Sequence, residues 1–372
     1  MARMKKYIDS DVYTEAKKRI RHIVDTFDNI LVCFSGGKDS LVVLSLLEEI
    51  YQEYGITEKI KVVFRDEELI PDDVIRFVQN KYESGKYDFR YYGIPLVSER
   101  FILGKNYKYI QWDPNREHLR KLPDYAITLP EGDTRVFDQY TADSFICKDV
   151  KGRVAMLTGI RADESLFRYR ACLNKMNECY ISATNDTRIK LCKPIYDWTE
   201  DDVFLYFYKT GISYCPTYDV QLVNGDNFRV ATPCIAESSK RFYKLRTRYP
   251  LFYEQVVRLF PDMLLQERYW REFGLQENME NYPHTFEGIR QYCYDQIDDV
   301  AKRNQALICI EKAETMRANS IAAGNVPFGG FPLRYVFRQV LNGAYKRGVF
   351  QPMKARKKDY EFEGLKREDY EH

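Results

Sequence analysis

No stretch of this chain approaches the ~20 consecutive apolar residues of a membrane-crossing helix. The opening Met-Ala-Arg-Met-Lys-Lys leads into a charged, helically spaced segment rather than an apolar one. Both features argue against a secretory leader or a membrane anchor, and the expectation is a soluble, cytoplasmic protein with no membrane partner. Charge of one sign is lacking too: 57 Lys and Arg stand against 55 Asp and Glu. No global field therefore draws nucleic acid or an acidic membrane, and any such affinity has to be local. Nine cysteines, at positions 33, 147, 172, 179, 192, 215, 234, 293 and 309, include no Cys-x-x-Cys pair. That spacing speaks against a zinc ribbon and a thioredoxin-like motif. An odd number scattered over so long a chain suits reduced thiols better than a disulfide framework.

What the chain does have is length and apolar content. Its 372 residues exceed the usual size of one domain, and 45% hydrophobic residues are enough for a sizeable core. The 30 Tyr and 22 Phe read chiefly as core filling. Val12, Ala16, Ile20, Ile23, Val24 and Phe27 recur at helical spacing, and the short apolar run 30–34 then has the look of a strand buried on both faces. A helix follows from Asp39, with Leu41, Val42, Leu44, Leu47 and Ile50 on its apolar side, and residues 61–64 form the next strand. Strand, helix and strand within about 35 residues predict a βαβ unit and a parallel sheet. Further strands are expected at 89–92, 153–158 and 189–194, and a helix capped by Thr199 and ended by Gly211. Residues 104–150, broken by Gly and Pro, read as a substrate-side excursion with little regular structure. Strand signals stop near residue 235. The expected organisation is an α/β domain over 1–235 and a helical region over 236–372 with a basic tail.

The junction of the first strand with its helix carries the most specific signal, Ser35-Gly36-Gly37-Lys38-Asp39-Ser40. Unpaired backbone N–H groups and the positive end of the helix dipole face outward at such a junction. Two glycines let phosphates approach the backbone, Lys38 adds a full charge, and Ser35 and Ser40 add hydroxyls. By average residue usage this hexapeptide arises by chance at roughly one position in 10⁷. It is not a Walker A loop, because Asp39 follows the lysine, and no Gly-x-Gly-x-x-Gly fingerprint is present.

The hexapeptide resembles the PP-motif of the ATP-pyrophosphatase superfamily. That superfamily includes phosphoadenosine phosphosulfate (PAPS) reductases, the small subunit of sulfate adenylyltransferase, tRNA-thiolating enzymes and the DNA phosphorothioation sulfurtransferase. Residues 158–170, with Gly159, Arg161, Ser165, Arg168 and Arg170, resemble the Gly-x-Arg…Ser…Arg region of PAPS-reductase-like proteins. Residues 193–219 resemble the Pro-Leu-x-x-Trp-x-x-x-Asp-Val…Pro…Tyr-Asp stretch of the same group, and Trp198 there reads as packing. Phe64-Arg65-Asp66-Glu67-Glu68 ends the second strand, where relatives place an Asp near the ribose and base; Asp66 is the best match.

The resemblance implies an adenine-nucleotide alpha-hydrolase-like fold of the HUP/PP-loop kind, a doubly wound parallel sheet. It implies nucleotide binding by Ser35, Gly36, Gly37, Lys38, Asp39, Ser40, Asp66, Gly159 and Arg161, with catalytic roles for Lys38, Asp39, Arg161 and Arg168. ATP or a PAPS-like adenine nucleotide is the expected ligand, with Mg²⁺. The tail cysteine of thiol-dependent PAPS reductases has no counterpart, since residues 310–372 contain no cysteine. The paired cysteines of iron–sulfur relatives are missing as well, so no cluster is expected from scattered Cys172, Cys179 and Cys234.

Three functions stay open: ATP cleavage at the α–β bond to adenylylate an acceptor, with a link to sulfur transfer; a reductase or sulfurtransferase whose thiol comes from a partner; and a non-catalytic nucleotide sensor. Similar bacterial and phage proteins are often encoded beside a ParB-like partner. Basic residues from Arg334 to Arg367, interleaved with Tyr335, Phe337, Tyr345 and Phe350, offer a local surface for nucleic acid or a protein, diluted by acids from Asp359 onward.

Overall fold

The computed structural model describes residues 8–172, 179–225, 229–230, 232–270, 279–324 and 327–365. The chain forms two compact units: residues 1–100 with 107–263, and residues 101–106 with 264–372. The helices between 236 and 263 thus cluster with the first unit.

The first unit is built on a six-stranded sheet of order β3-β2-β1-β6-β8-β7. These strands are β1 (Asn29–Cys33), β2 (Lys61–Arg65), β3 (Asp88–Tyr92), β6 (Val154–Leu157), β7 (Ile181–Ala183) and β8 (Ile189–Cys192). All neighbours pair in parallel except β7, which runs antiparallel to β8 at the edge. The apolar run in β1 is continuous because both faces of the sheet are covered. Ile30 and Val32 join one core with α1 (Val12–Thr26), α2 (Lys38–Glu53), α3 (Asp72–Glu83) and α6 (Glu200–Thr210). Leu31 points the other way, into a second core with Val63, Met156 and α4 (Gln139–Ile146). The period-2 geometry of a strand makes this division.

Successive crossovers lead from β1 outward through β2 to β3, and the chain then returns to place β6 on the other side of β1. The order reverses between β1 and β6, and in an open parallel sheet the crevice at the strands' carboxyl ends is where ligands bind.

The excursion at 104–150 is more regular than the sequence led us to expect. β4 (Leu96–Ile102) and β5 (Lys105–Gln111) form a hairpin whose two-residue turn, Leu103-Gly104, has φ of 43° and 86°. Two successive positive φ values match the right-handed twist of the flanking strands. A leucine in the first turn position hid that turn from sequence reading. α4 also falls in this stretch, opened by a capping box between Asp138 and Thr141.

From residue 264 onward, the regular elements among the described residues are all helical. α9 (Phe286–Gln296), α10 (Val300–Ala322) and α11 (Leu333–Leu341), which follow α8 (Pro250–Leu259) of the first unit, enclose Ile289, Cys293, Cys309, Ile310, Val336 and Phe337. Arg317 pairs with Glu363 at 2.7 Å, and the other oxygen of Glu363 accepts from the backbone N–H of Leu333. No helix among the described residues is long and apolar enough to cross a membrane.

Candidate phosphate-binding site

The backbone turns sharply where β1 meets α2. Gly36 has φ 75°, and a Cβ there would sit 2.8 Å from Val74 Cγ1 and 2.9 Å from Val78 Cγ2, so glycine is required both by conformation and by space. The turn is braced by its own serines: Ser35 N–H donates to Ser40 Oγ at 3.1 Å, and Ser40 Oγ donates to the carbonyl of Gly37 at 3.0 Å. Gly37 is the N-cap of α2 and supplies no side-chain acceptor. The amides of a helix's first turn have no intrahelical acceptor, so this end of a 16-residue helix presents donors and a positive dipole.

Lys38 follows, with its side chain only 3% exposed. Its Nζ lies 3.2 Å from Asp39 Oδ2 and 3.2 Å from Glu200 Oε1. Arg161, 4% exposed, donates from Nε to Asp39 Oδ1 at 2.7 Å. Two cations and two carboxylates from three distant stretches of chain thus form one cluster at the mouth of the loop. Gly159 lets them meet: a Cβ on it would lie 2.5 Å from the carbonyl carbon of Asp39 and 2.5 Å from the nitrogen of Ser40. The turn after β6 therefore presses on the first turn of α2, and Arg161 emerges beside it.

Of the residues expected in the site, the structure brings Ser35, Gly36, Gly37, Lys38, Asp39, Ser40, Gly159 and Arg161 together. Arg168, on α5 (Leu166–Ala171), forms an ion pair with Glu164 of its own segment. Asp66 is placed at the end of β2, where its carboxylate is fully enclosed by protein groups. Oδ1 accepts from Arg120 and from the backbone N–H of Glu68, and Oδ2 accepts from Tyr91. Glu68, at φ 61°, is likewise consumed, accepting from both terminal nitrogens of Arg116 and from the backbone N–H groups of Trp112 and Leu119. These two buried acids anchor the stretch after β5 to the sheet. Glu67 between them is half-buried, and burial pushes its carboxyl above the usual range while Arg65 opposes the shift.

Two residues of the cluster were not assigned to the site from sequence. Glu200 begins α6 and Tyr218 lies on α7 (Thr217–Val223), and neither is among the site residues that the resemblance implied. The Tyr218 hydroxyl in fact accepts from the backbone N–H of Lys38 at 2.8 Å, and its ring lies under the Lys38 ammonium, 5.3 Å from centroid to Nζ. Only their position within the third family-like segment hinted at this. Trp198 is packing, 1% exposed, with its indole N–H donating to the carbonyl of Val12 at 3.0 Å.

Residues 29–224 match the family model of the phosphoadenosine phosphosulfate reductase domain. The chain belongs to this family. The match takes in β1, the loop, Arg161, Glu200 and Tyr218 together. An uncharacterized Escherichia coli (strain K12) protein, YbdN, is 29% identical over 239 residues, 60% of this chain and 58% of that protein; the chain thus spans less than two thirds of that relative's length. Among solved structures, Candida glabrata FMN adenylyltransferase with FAD and inorganic pyrophosphate is similar at TM-score 0.38 and 14% identity, covering 58% of this chain and 64% of that one. A Candida auris phosphoadenylyl-sulfate reductase, as a phosphate complex, gives TM-score 0.31 and 14% identity over 58% and 93%.

Of the basic stretch in the second unit, Arg334 and Lys357 are each paired with an acid of the same stretch, Asp359 and Glu361, at 3.8 Å. Lys366 and Arg367 lie outside the described residues.

Proposed function

We propose that the chain binds an adenine nucleotide by its phosphates at the β1–α2 loop and cleaves ATP between the α- and β-phosphates, adenylylating an acceptor as a step of sulfur transfer. The observation that carries this reading is the convergence of Lys38 and Arg161, both nearly fully buried, on one carboxylate, Asp39, at the positive end of α2. Charges withdrawn from water and fixed in place stabilise developing negative charge without reorganising during the reaction. The acceptor's lone pair attacks the α-phosphorus, the α–β bridging P–O bond breaks, and pyrophosphate leaves with that electron pair. The acceptor's proton passes to solvent. Lys38 and the first-turn amides hold the departing pyrophosphate, and Arg161 balances charge on the α-phosphate.

Mg²⁺ fits this arrangement as an ion shared with the phosphates. It usually takes one or two carboxylates and keeps its other positions for phosphate oxygens and water. No group of three or more metal-ligating side chains occurs among the described residues, and Asp39 is the loop carboxylate suited to reach it. When bound, the ion would add charge neutralisation to the leaving pyrophosphate.

A second reading has a partner protein bring a thiol to act on a sulfated adenine nucleotide. It is favoured by the burial of seven of the nine cysteines, with Cys33 half-buried and Cys179 exposed. Incubation with ATP labelled at the α-phosphate separates the two. Acceptor-dependent pyrophosphate release with label retained on the acceptor, lost in Lys38→Met, supports the first. Tight binding of adenylyl sulfate or PAPS without any pyrophosphate release from ATP rejects it in favour of the second.

A further inference from the structure

We propose that Glu200 is a specificity residue of the phosphate loop: it occupies the position of a ligand phosphoryl oxygen and admits only anions able to displace it from two cations at once. The proposal rests on the phosphate-site reading above and adds the rule by which that site selects. Glu200 is the first residue of α6, and its backbone is set by the capping box in which Thr199 and Asp202 exchange hydrogen bonds. From there a single oxygen, Oε1, lies 3.2 Å from Lys38 Nζ and 3.9 Å from an Arg161 terminal nitrogen.

The cluster of Lys38, Arg161, Asp39 and Glu200 carries two positive and two negative charges. An incoming polyphosphate therefore meets a site that is already neutral, and to engage both cations it has to replace a carboxylate. The two acids differ in how readily they leave. Asp39 is 16% exposed, sits on the first turn of α2 and is gripped by Arg161 at 2.7 Å. Glu200 is 41% exposed on a longer, rotatable stem, and once released it still stands at a helix N-terminus, where a carboxylate is favoured. Glu200 is the group that yields.

Displacing one bridging oxygen from two cations costs its attraction to both, which the ligand's own charge has to offset. Orthophosphate also carries oxygens for both cations, but with one phosphoryl group it has less charge to offset the loss; pyrophosphate, with two, engages the cations and the first-turn amides together. The carboxylate thus tilts the loop toward diphosphate-bearing ligands. It raises specificity by penalising the wrong ligand more than the right one.

The test is calorimetric binding of inorganic pyrophosphate and of orthophosphate to the full chain and to Glu200→Gln, at one ionic strength, first in EDTA and then with Mg²⁺. Removal of a partly exposed competing charge should tighten orthophosphate by roughly threefold to tenfold. Pyrophosphate should tighten less, so the preference for it narrows. Unchanged affinities, or an equal gain for both anions, would overturn the proposal. So would pyrophosphate binding that weakens only with Mg²⁺, which would make Glu200 a metal ligand. Thermal unfolding without ligand should not distinguish Glu200→Gln from the parent. Should it be destabilised, Glu200→Asp, with the charge kept on a shorter stem, is expected to retain the preference, and its loss there also counts against the idea. If neither anion binds either protein, the phosphate-site reading itself fails.

Discussion

The hydroxyl of Tyr218 accepts a 2.8 Å hydrogen bond from the backbone N–H of Lys38, 180 residues earlier in the chain. One of the backbone donors at the start of α2 is therefore held by the protein itself, through a tyrosine that is 2% exposed. Burial raises the Tyr218 hydroxyl far above its ordinary pKa, so it stays neutral across the physiological range.

Tyr218→Phe keeps the ring and removes the acceptor. An N–H left unsatisfied in a buried setting costs about 1–3 kcal/mol, so the ligand-free variant should melt at lower temperature. A phosphate oxygen can take up the same N–H, and saturating pyrophosphate should therefore stabilise Tyr218→Phe more than the parent. Differential scanning calorimetry with and without pyrophosphate checks this; equal ligand-induced shifts would show that the Lys38 amide is not part of the anion site.

Gly159→Ala places a methyl 2.5 Å from two backbone atoms of the α2 first turn. Backbone cannot rotate away as a side chain can, so the turn after β6 and the start of α2 must part. The expected cost is about 1–3 kcal/mol, together with a loss of anion binding of at least the order of tenfold as Arg161 is carried away from Asp39. Denaturant unfolding paired with pyrophosphate titration measures both, and a variant that binds normally would refute the close approach.

Asp66 is 0% exposed and Arg120 only 15%. Removing the cation leaves a buried carboxylate without its charge partner, a change that typically costs about 3–5 kcal/mol. Arg120→Ala should lower the urea midpoint far more than substitution of an exposed ion-pair residue such as Lys121, whose pair with Asp124 is open to water. If Asp66 served chiefly to contact the nucleotide, Arg120→Ala would instead leave stability nearly unchanged and weaken nucleotide binding.

Glu49 links α1 to α2 and α6, accepting from Tyr13, Lys17 and Tyr206. Burial alone would raise its carboxyl; the hydrogen bonds from Tyr13, Tyr206 and Lys17 outweigh burial and hold it below the usual carboxylate range. A carboxyl with a depressed folded pKa contributes stability that is full above its unfolded value and drains away as pH falls through the folded one. Glu49→Gln should therefore be less stable than the parent at neutral pH, with the difference shrinking as pH falls below about 4.3, the unperturbed glutamate value. A pH series of urea midpoints tests this, and a gap that stays constant into the acid range would exclude the linkage.

Much of the architecture was legible because it is written in local pattern. The buried runs of β1 and β2, the helix expected from Asp39, the Thr199 cap and the Gly211 stop at φ 69° all follow from periodicity, capping and glycine conformation. The β4–β5 hairpin escaped because its turn uses Leu103 where Asn or Gly would have announced it. β7 escaped because three residues are too few to show a period.

At the site the division is sharper. Ser35 to Ser40 pointed to a helix start suited to an anion on their own, since the donors, glycines and lysine that such a start needs are consecutive in the chain. Which side chains complete it depended on the order of the strands. Placing β6 beside β1 brings Gly159 onto Asp39 and Arg161 into the cluster, while α6 and α7 deliver Glu200 and Tyr218 from 162 and 180 residues beyond Lys38. Ion pairs and hydrogen bonds act over a few ångströms of space, and no periodicity along the chain encodes which distant segments those few ångströms will hold.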